Sequence, residues 1–315
     1  LELPQDWTAD RIKTNETINR IRERIAVWRT ARYSGITRVT RDLLDYWRDP
    51  DRDRPLFFCQ IEALETAIYL AEVAPKLDPS IEAALRRENE RANPGLYRVA
   101  FKMATGTGKT VVMAMLIAWQ TLNKLANPQD ARFADAFLVI TPGITIRDRL
   151  RVLLPNDVGN YYAERDLVTP EQLRALGQAI IEITNYHAFI RRETLQAASL
   201  TKKLLVGRNG DPDRFKETGG EMVRRVCRAF RGKRNVIVLS DEAHHCYQDN
   251  PHPDEEGQVV AEEREEAKEN AEAARVWLSG LRAVKAKLGI RATYDLSATP
   301  FFLRGSGYSE GTLFP

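Results

Sequence analysis

The chain has 315 residues, room for a large core and for two domains at roughly 100 to 200 residues each. Lysine and arginine total 47 against 44 acidic residues, a net charge of +3, too mild to mark a nucleic-acid partner by itself. No apolar run approaches the ~20 residues of a membrane span, and the N-terminus (LELPQDWTAD) lacks the charged-then-apolar pattern of a signal peptide, so a cytoplasmic protein without membrane contact is expected.

Residues 14–32 place Ile18, Ile21, Ile25 and Trp28 on one helical stripe with arginines elsewhere, the pattern of a packing helix. A second helix is expected over 37–47, and Asp49-Pro-Asp-Arg-Asp-Arg-Pro55 breaks it as a polar linker. The main boundary is set there, giving an N-terminal helical extension over 1–54 and a principal domain over 55–315. Residues 57–70 open on an aromatic pair and bring Gln60 to the start of a helix. A glutamine there is often only an exposed polar residue, but its carboxamide both donates and accepts, and can read N6 and N7 of adenine. Residues 74–94 read as a surface helix and polar loop.

Residues 96–103 alternate as a strand does, and 111–122 form an apolar helical run. Between them stands Met103-Ala-Thr-Gly-Thr-Gly-Lys-Thr110, a phosphate-loop pattern in which a loop opens a helix. Gly106 and Gly108, with Thr105 and Thr107, let backbone amides turn towards phosphate oxygens. Lys109 can reach the β- and γ-phosphates and Thr110 can hold Mg²⁺. The longer form of the pattern puts a glycine where Met103 stands.

Residues 137–141 are a continuous apolar run, expected as a strand buried on both faces. Pro142-Gly143 ends it, and residues 144–154 carry Arg147, Arg149 and Arg151. Residues 180–184 repeat the strand pattern, followed by Asn185-Tyr-His-Ala-Phe189, with His187 expected as a hydrogen-bonding loop residue. Residues 206–221 are glycine-rich and polar, expected as a mobile loop. Residues 222–234 read as a basic helix with Val223, Val226, Cys227 and Phe230 on its apolar stripe. Three cysteines (Cys59, Cys227 and Cys246) are widely separated without C-x-x-C spacing, which argues against structural zinc or a disulfide framework.

In residues 235–245 (NVIVLSDEAHH) a buried strand ends on Asp241 and Glu242. Adjacent carboxylates repel and lose hydration when buried, so the pair calls for a cation. With magnesium nucleotide bound, Asp241 would hold the metal and Glu242 would orient and deprotonate the attacking water. Residues 248–270 are an acidic insertion and 273–288 an amphipathic helix, the insertion as a whole spanning about 247–288. Residues 290–296 form another strand, with Ser297-Ala-Thr-Pro300 at its tip.

Taken together and in this order, Gln60, MATGTGKT, TPGITIRDRL, DEAHH and SATP make residues 57–300 resemble the superfamily 2 helicases, and among them the ATPase subunits of type III restriction enzymes. The resemblance implies an α/β fold, the first RecA-like lobe, with a parallel sheet flanked by helices. It implies that Gln60 reads adenine and that Lys109, Thr110 and Asp241 serve ATP and Mg²⁺. Thr141, Pro142 and Arg147 would then lie along a DNA backbone, and His244, Ser297 and Thr299 would couple nucleotide state to that contact. Implied partners are DNA, a second RecA-like lobe of the same polypeptide and a methyltransferase or specificity subunit. The second lobe and any nuclease domain are expected beyond residue 315. Two other readings stay open at this point: a nucleotide-gated DNA-binding module with little turnover, and a phosphate-loop kinase for a small molecule.

Overall fold

The computed structural model describes residues 16–143, 148–192, 216–242 and 261–298, without the side chains of residues 261–273. Five strands, β1 (Arg98–Lys102), β2 (Ala136–Thr141), β3 (Ile180–Asn185), β4 (Val236–Asp241) and β5 (Ile290–Ser297), form one sheet in the order β1-β5-β4-β2-β3, and every neighbouring pair is parallel. The chain moves outwards from β1 to β2 and β3, then reverses through β4 to β5. Right-handed crossovers therefore place the connecting helices of the two legs on opposite faces. Strands β2 and β4 are buried at every position, which is why they read as unbroken apolar runs.

The core divides along the same line. Phe137, Val139, Ile237, Leu239 and Tyr294 point into one cluster, while Leu138, Ile140, Val236 and Val238 point into the other, the two-residue period of a strand covered on both sides. The first cluster is filled by α1 (Glu16–Thr30), α2 (Arg38–Trp47), α3 (Phe58–Ile68) and α4 (Pro79–Ala92) together with α5 (Lys109–Ala126) and α6 (Pro170–Leu176). The second takes α7 (Gly219–Val226) and α8 (Ala261–Leu288). This is the RecA-like α/β arrangement that the sequence predicts.

The stripe predicted on the first helix packs as expected, with Ile21, Ile25 and Trp28 buried. Two carboxylates, both fully buried, tie these N-terminal helices to the sheet domain. Glu65 accepts hydrogen bonds from Arg29, from Arg48 Nη1 at 2.9 Å and from the Tyr33 hydroxyl at 2.5 Å. Glu72 accepts from Thr37 N at 2.9 Å, Thr40 Oγ1 at 2.6 Å and Trp119 Nε1 at 2.9 Å. Glu72 lies in a single π turn, Tyr69–Val73, which precedes the short helix Ala74–Leu77. Pro75 has no N–H to offer the preceding turn and its ring would crowd the Ala71 carbonyl, so the widened turn accommodates it.

Two elements differ from the sequence expectation. Helix α7 begins at Gly219, inside the stretch predicted as loop, because Thr218 and Glu221 close a capping box (Glu221 N to Thr218 Oγ1 3.2 Å, Thr218 N to Glu221 Oε2 2.9 Å). It ends at Val226 and is followed by a 3₁₀ turn, Arg228–Phe230, instead of continuing to residue 234. The predicted stripe of Val223, Val226, Cys227 and Phe230 is nonetheless buried. Helix α8 begins at Ala261, so the last ten residues of the acidic segment 248–270 are helical; residues 248–260 lie outside the described residues. Trp277, Leu281 and Val284 of α8 pack on the sheet, which makes this helix the crossover between β4 and β5.

Replacing Glu72 with Ala takes the acceptor from Thr37 N and from the Thr40 hydroxyl, leaves Trp119 Nε1 only Thr40 Oγ1 at 3.1 Å, and opens a void. A loss of about 3 kcal/mol in unfolding free energy is expected, read from the denaturant midpoint. The exposed Val27→Ala change serves as a reference and is expected to stay within about 0.5 kcal/mol.

Candidate active site

The phosphate loop lies between β1 and α5. Met103 N donates to Ser297 O at 2.9 Å, extending the ladder with β5 by one residue, and the Met103 side chain is buried in the first core cluster. The position where the longer pattern has a glycine thus directly follows β1, still bonded to β5 and with its side chain committed to the core. The turn follows, closed by Thr107 N and Thr107 Oγ1, which donate to Ala104 O at 3.3 and 2.7 Å. Gly106 and Gly108 take φ values of +82° and +83°, the left-handed region that a side chain resists. Helix α5 starts on Lys109, so the amides of Gly108, Lys109 and Thr110 open a helix and have no carbonyl one turn earlier.

Asp241 and Glu242 stand at the tip of β4, one strand removed from β1 across β5. Lys109 Nζ spans that gap and lies 3.2 Å from Glu242 Oε1. Glu242 adopts φ +47°, a conformation costing about 1 kcal/mol for a residue with a side chain, and its amide donates to Asp241 Oδ1 at 3.1 Å. Burial pushes the Asp241 carboxyl above the ordinary carboxylate range, and Glu242 beside it acts in the same direction. Lys109, the Glu242 amide and Arg149 oppose that shift. The site therefore holds more negative charge than its buried surroundings favour.

Gln60, on the first turn of α3, is buried. Its Oε1 accepts from Phe57 N and its Nε2 donates to Thr107 O, both at 2.9 Å, which ties α3 to the phosphate loop. Each end of a carboxamide has capacity for two hydrogen bonds, so one lone pair and one N–H remain, the pair of functions that adenine N6 and N7 require. The fit against the loop is close: a Cβ on Gly108 would stand 2.3 Å from Gln60 Nε2.

Of the other residues singled out in the sequence, Thr141 is buried at the end of β2 and its hydroxyl donates to Gly143 O at 2.8 Å. Pro142 follows in the same turn, and Ser297 is buried at the tip of β5. His187, expected to hydrogen-bond in its loop, is exposed and stacks on the Tyr186 ring at 3.9 Å. Arg147, His244, Thr299 and Cys246 lie outside the described residues. Arg149, in the sequence only one of three alternating arginines, is exposed and adds the smallest of the influences that hold the Asp241 carboxyl down; nothing in the RDR spacing tells it from its neighbours.

A family model described as "Type III restriction enzyme, res subunit" matches residues 55–301, well over half of the chain. No curated protein and no solved structure gives a significant match. The matched segment runs from just before Gln60 to just after Ser297 and contains the phosphate loop and the two carboxylates that Lys109 joins, so the chain belongs to the type III restriction enzyme res subunit family and carries a helicase superfamily 2 ATPase domain.

Proposed function

We propose that this chain is the ATP-binding and ATP-hydrolysing motor lobe of a DNA helicase or translocase of the type III restriction kind. The observation that carries this reading is the 3.2 Å contact between Lys109 and Glu242, which brings a phosphate-loop cation and a carboxylate of β4 to one point. The residues fit a magnesium nucleotide. Thr110 and Asp241 offer the oxygen ligands that magnesium takes, and Asp241 sits where burial and Glu242 both oppose its charge, a conflict that a cation relieves. Magnesium held there would supply positive charge to offset that of the phosphates.

The chain's own residues then divide the work. The amides opening α5 and Lys109 bind the phosphates, and in doing so draw Lys109 away from Glu242. Its carboxylate, released from that ion pair, is then able to orient a water and accept its proton. Gln60 uses its spare N–H and lone pair on adenine. On this reading Thr141, Pro142 and Arg147 contact the DNA backbone, and His244, Ser297 and Thr299 couple that contact to the nucleotide. The Met103 N to Ser297 O bond, which joins the tip of β5 to the start of the loop, supports the coupling. A second RecA-like lobe and a methyltransferase or specificity subunit complete the proposed assembly.

Lys109→Ala removes a charged partner of the triphosphate and the ion pair to Glu242. ATP affinity is expected to fall on the order of 10- to 100-fold in a fluorescent-nucleotide titration, and unchanged affinity in a folded variant would exclude the phosphate-loop reading. Glu242→Gln is expected to bind ATP normally while phosphate release by the full-length polypeptide with duplex DNA drops by on the order of 10² to 10⁴. Undiminished release would move the base elsewhere. Gly108→Ala places a methyl group against Gln60, so it should weaken binding and erase any preference for ATP over GTP; a retained preference would separate Gln60 from base recognition.

A further inference from the structure

A second polar site lies at the opposite edge of the sheet, where β1, β4 and β5 begin. A cavity of about 60 Å³ opens there, bordered by α4, the residues before β2 and the start of β5. Six residues of extended chain at ~3.3 Å each separate Tyr97, on its wall, from Met103, so the cavity is roughly 20 Å from the phosphate loop.

Its lining is rich in donors. The Tyr97 and Tyr294 hydroxyls, the Gln120 carboxamide nitrogen and the Arg291 guanidinium all border it, and none has an acceptor among the described residues. Gln120 and Tyr294 are 1% and 4% exposed, so the cavity is where a partner for them has to come from. Gln120 is held in place because its Oε1 accepts from Ala134 N at 3.0 Å, which leaves the nitrogen turned to the cavity. Tyr294 is fixed by stacking on Phe101, with ring centroids 5.9 Å apart.

Glu82, which also borders the cavity, holds Arg86 at 2.6 Å, and Asp130 holds Arg132 at 2.7 Å. Three arginines against one carboxylate on the lining leave the cavity net positive, with the exposed Arg291 outside any ion pair among the described residues. Burial raises the Tyr97 and Tyr294 hydroxyls above the ordinary tyrosine range, so both keep their protons and remain donors. A water has a volume share of about 30 Å³, so the space holds two waters or one small tetrahedral anion. Water would bring donors to a site already full of them, whereas an oxyanion brings only acceptors and balances Arg291.

We propose that this cavity binds a tetrahedral oxyanion, a phosphate group held by Arg291, Tyr97, Tyr294 and Gln120, separate from the nucleotide site. Inorganic phosphate and a phosphodiester of nucleic acid present the same chemistry to these donors.

The experiment titrates inorganic phosphate against chloride at constant ionic strength, by calorimetry and thermal unfolding. It is done in Lys109→Ala so that the phosphate loop does not compete; ADP-saturated wild type gives the same comparison should that variant be unstable. One saturable site is expected, with phosphate raising Tm. Adding Arg291→Ala should weaken binding about tenfold, the loss of one charge-assisted partner. Adding Tyr294→Phe should weaken it several-fold without lowering the Tm of the phosphate-free protein, since that hydroxyl has no partner to lose. Displacement of phosphate by duplex DNA would identify the phosphodiester as the source, and undisturbed binding would identify free phosphate; either result supports the site. Absence of saturable binding, or equal affinity in both added variants, overturns it.

Discussion

A buried strand that ends in two neighbouring carboxylates has to be met by a cation, and much of this molecule can be understood as the means of delivering one. Lys109 belongs to the loop after β1, yet it must reach the end of β4. That is possible because β5 alone separates the two strands. The reversal of strand order makes this arrangement: the chain goes out to β3 and comes back, and its last described strand fills the gap between β1 and β4. Ligands of open α/β sheets bind at such points of reversal. Here the same intervening strand accepts a backbone hydrogen bond from the residue that begins the loop.

The helix carrying Lys109 is anchored along its length. Residues Val111 to Asn123 of α5 are all buried, and three of its polar side chains tie it to its surroundings: Gln120 Oε1 accepts from Ala134 N, Trp119 Nε1 donates to Glu72 Oε1, and Asn123 Nδ2 donates to Thr40 Oγ1. Thr40 belongs to α2, which precedes the segment matched by the family model. The N-terminal helices therefore help to set where the phosphate-binding lysine stands, through a carboxylate, Glu72, that joins α2 and its capping residue Thr37 to α5.

The strands at the centre of the sheet were legible because burial on both faces forces continuous apolar runs, and the phosphate loop because its glycines have to adopt positive φ. What a linear reading does not contain is the order of strands, which depends on crossover direction, or the partners of Glu65 and Glu72, which look like ordinary surface acids of a helix. Met103 shows the limit in another way: as a departure from a motif it looks like a loss, whereas in three dimensions it is the first residue after β1, its side chain held by the core. The start of α8 was missed because its first turns are highly charged and carry no apolar stripe by which to recognise them.

That helix has 28 residues, or about 42 Å at 1.5 Å per residue. The eight residues of β5 that follow it after Gly289 cover only about 26 Å. Since α8 runs back along the sheet before β5 begins, its first turns extend some 15 Å past the strand ends, on the edge where the phosphate loop lies. A rod joined so directly to a core strand acts as a lever. A tilt of a few degrees about the junction with β5 would move the far end of α8 about one and a half times as far as Ser297, at about 42 Å from the pivot against about 26 Å, and would carry a change beside the nucleotide to the periphery.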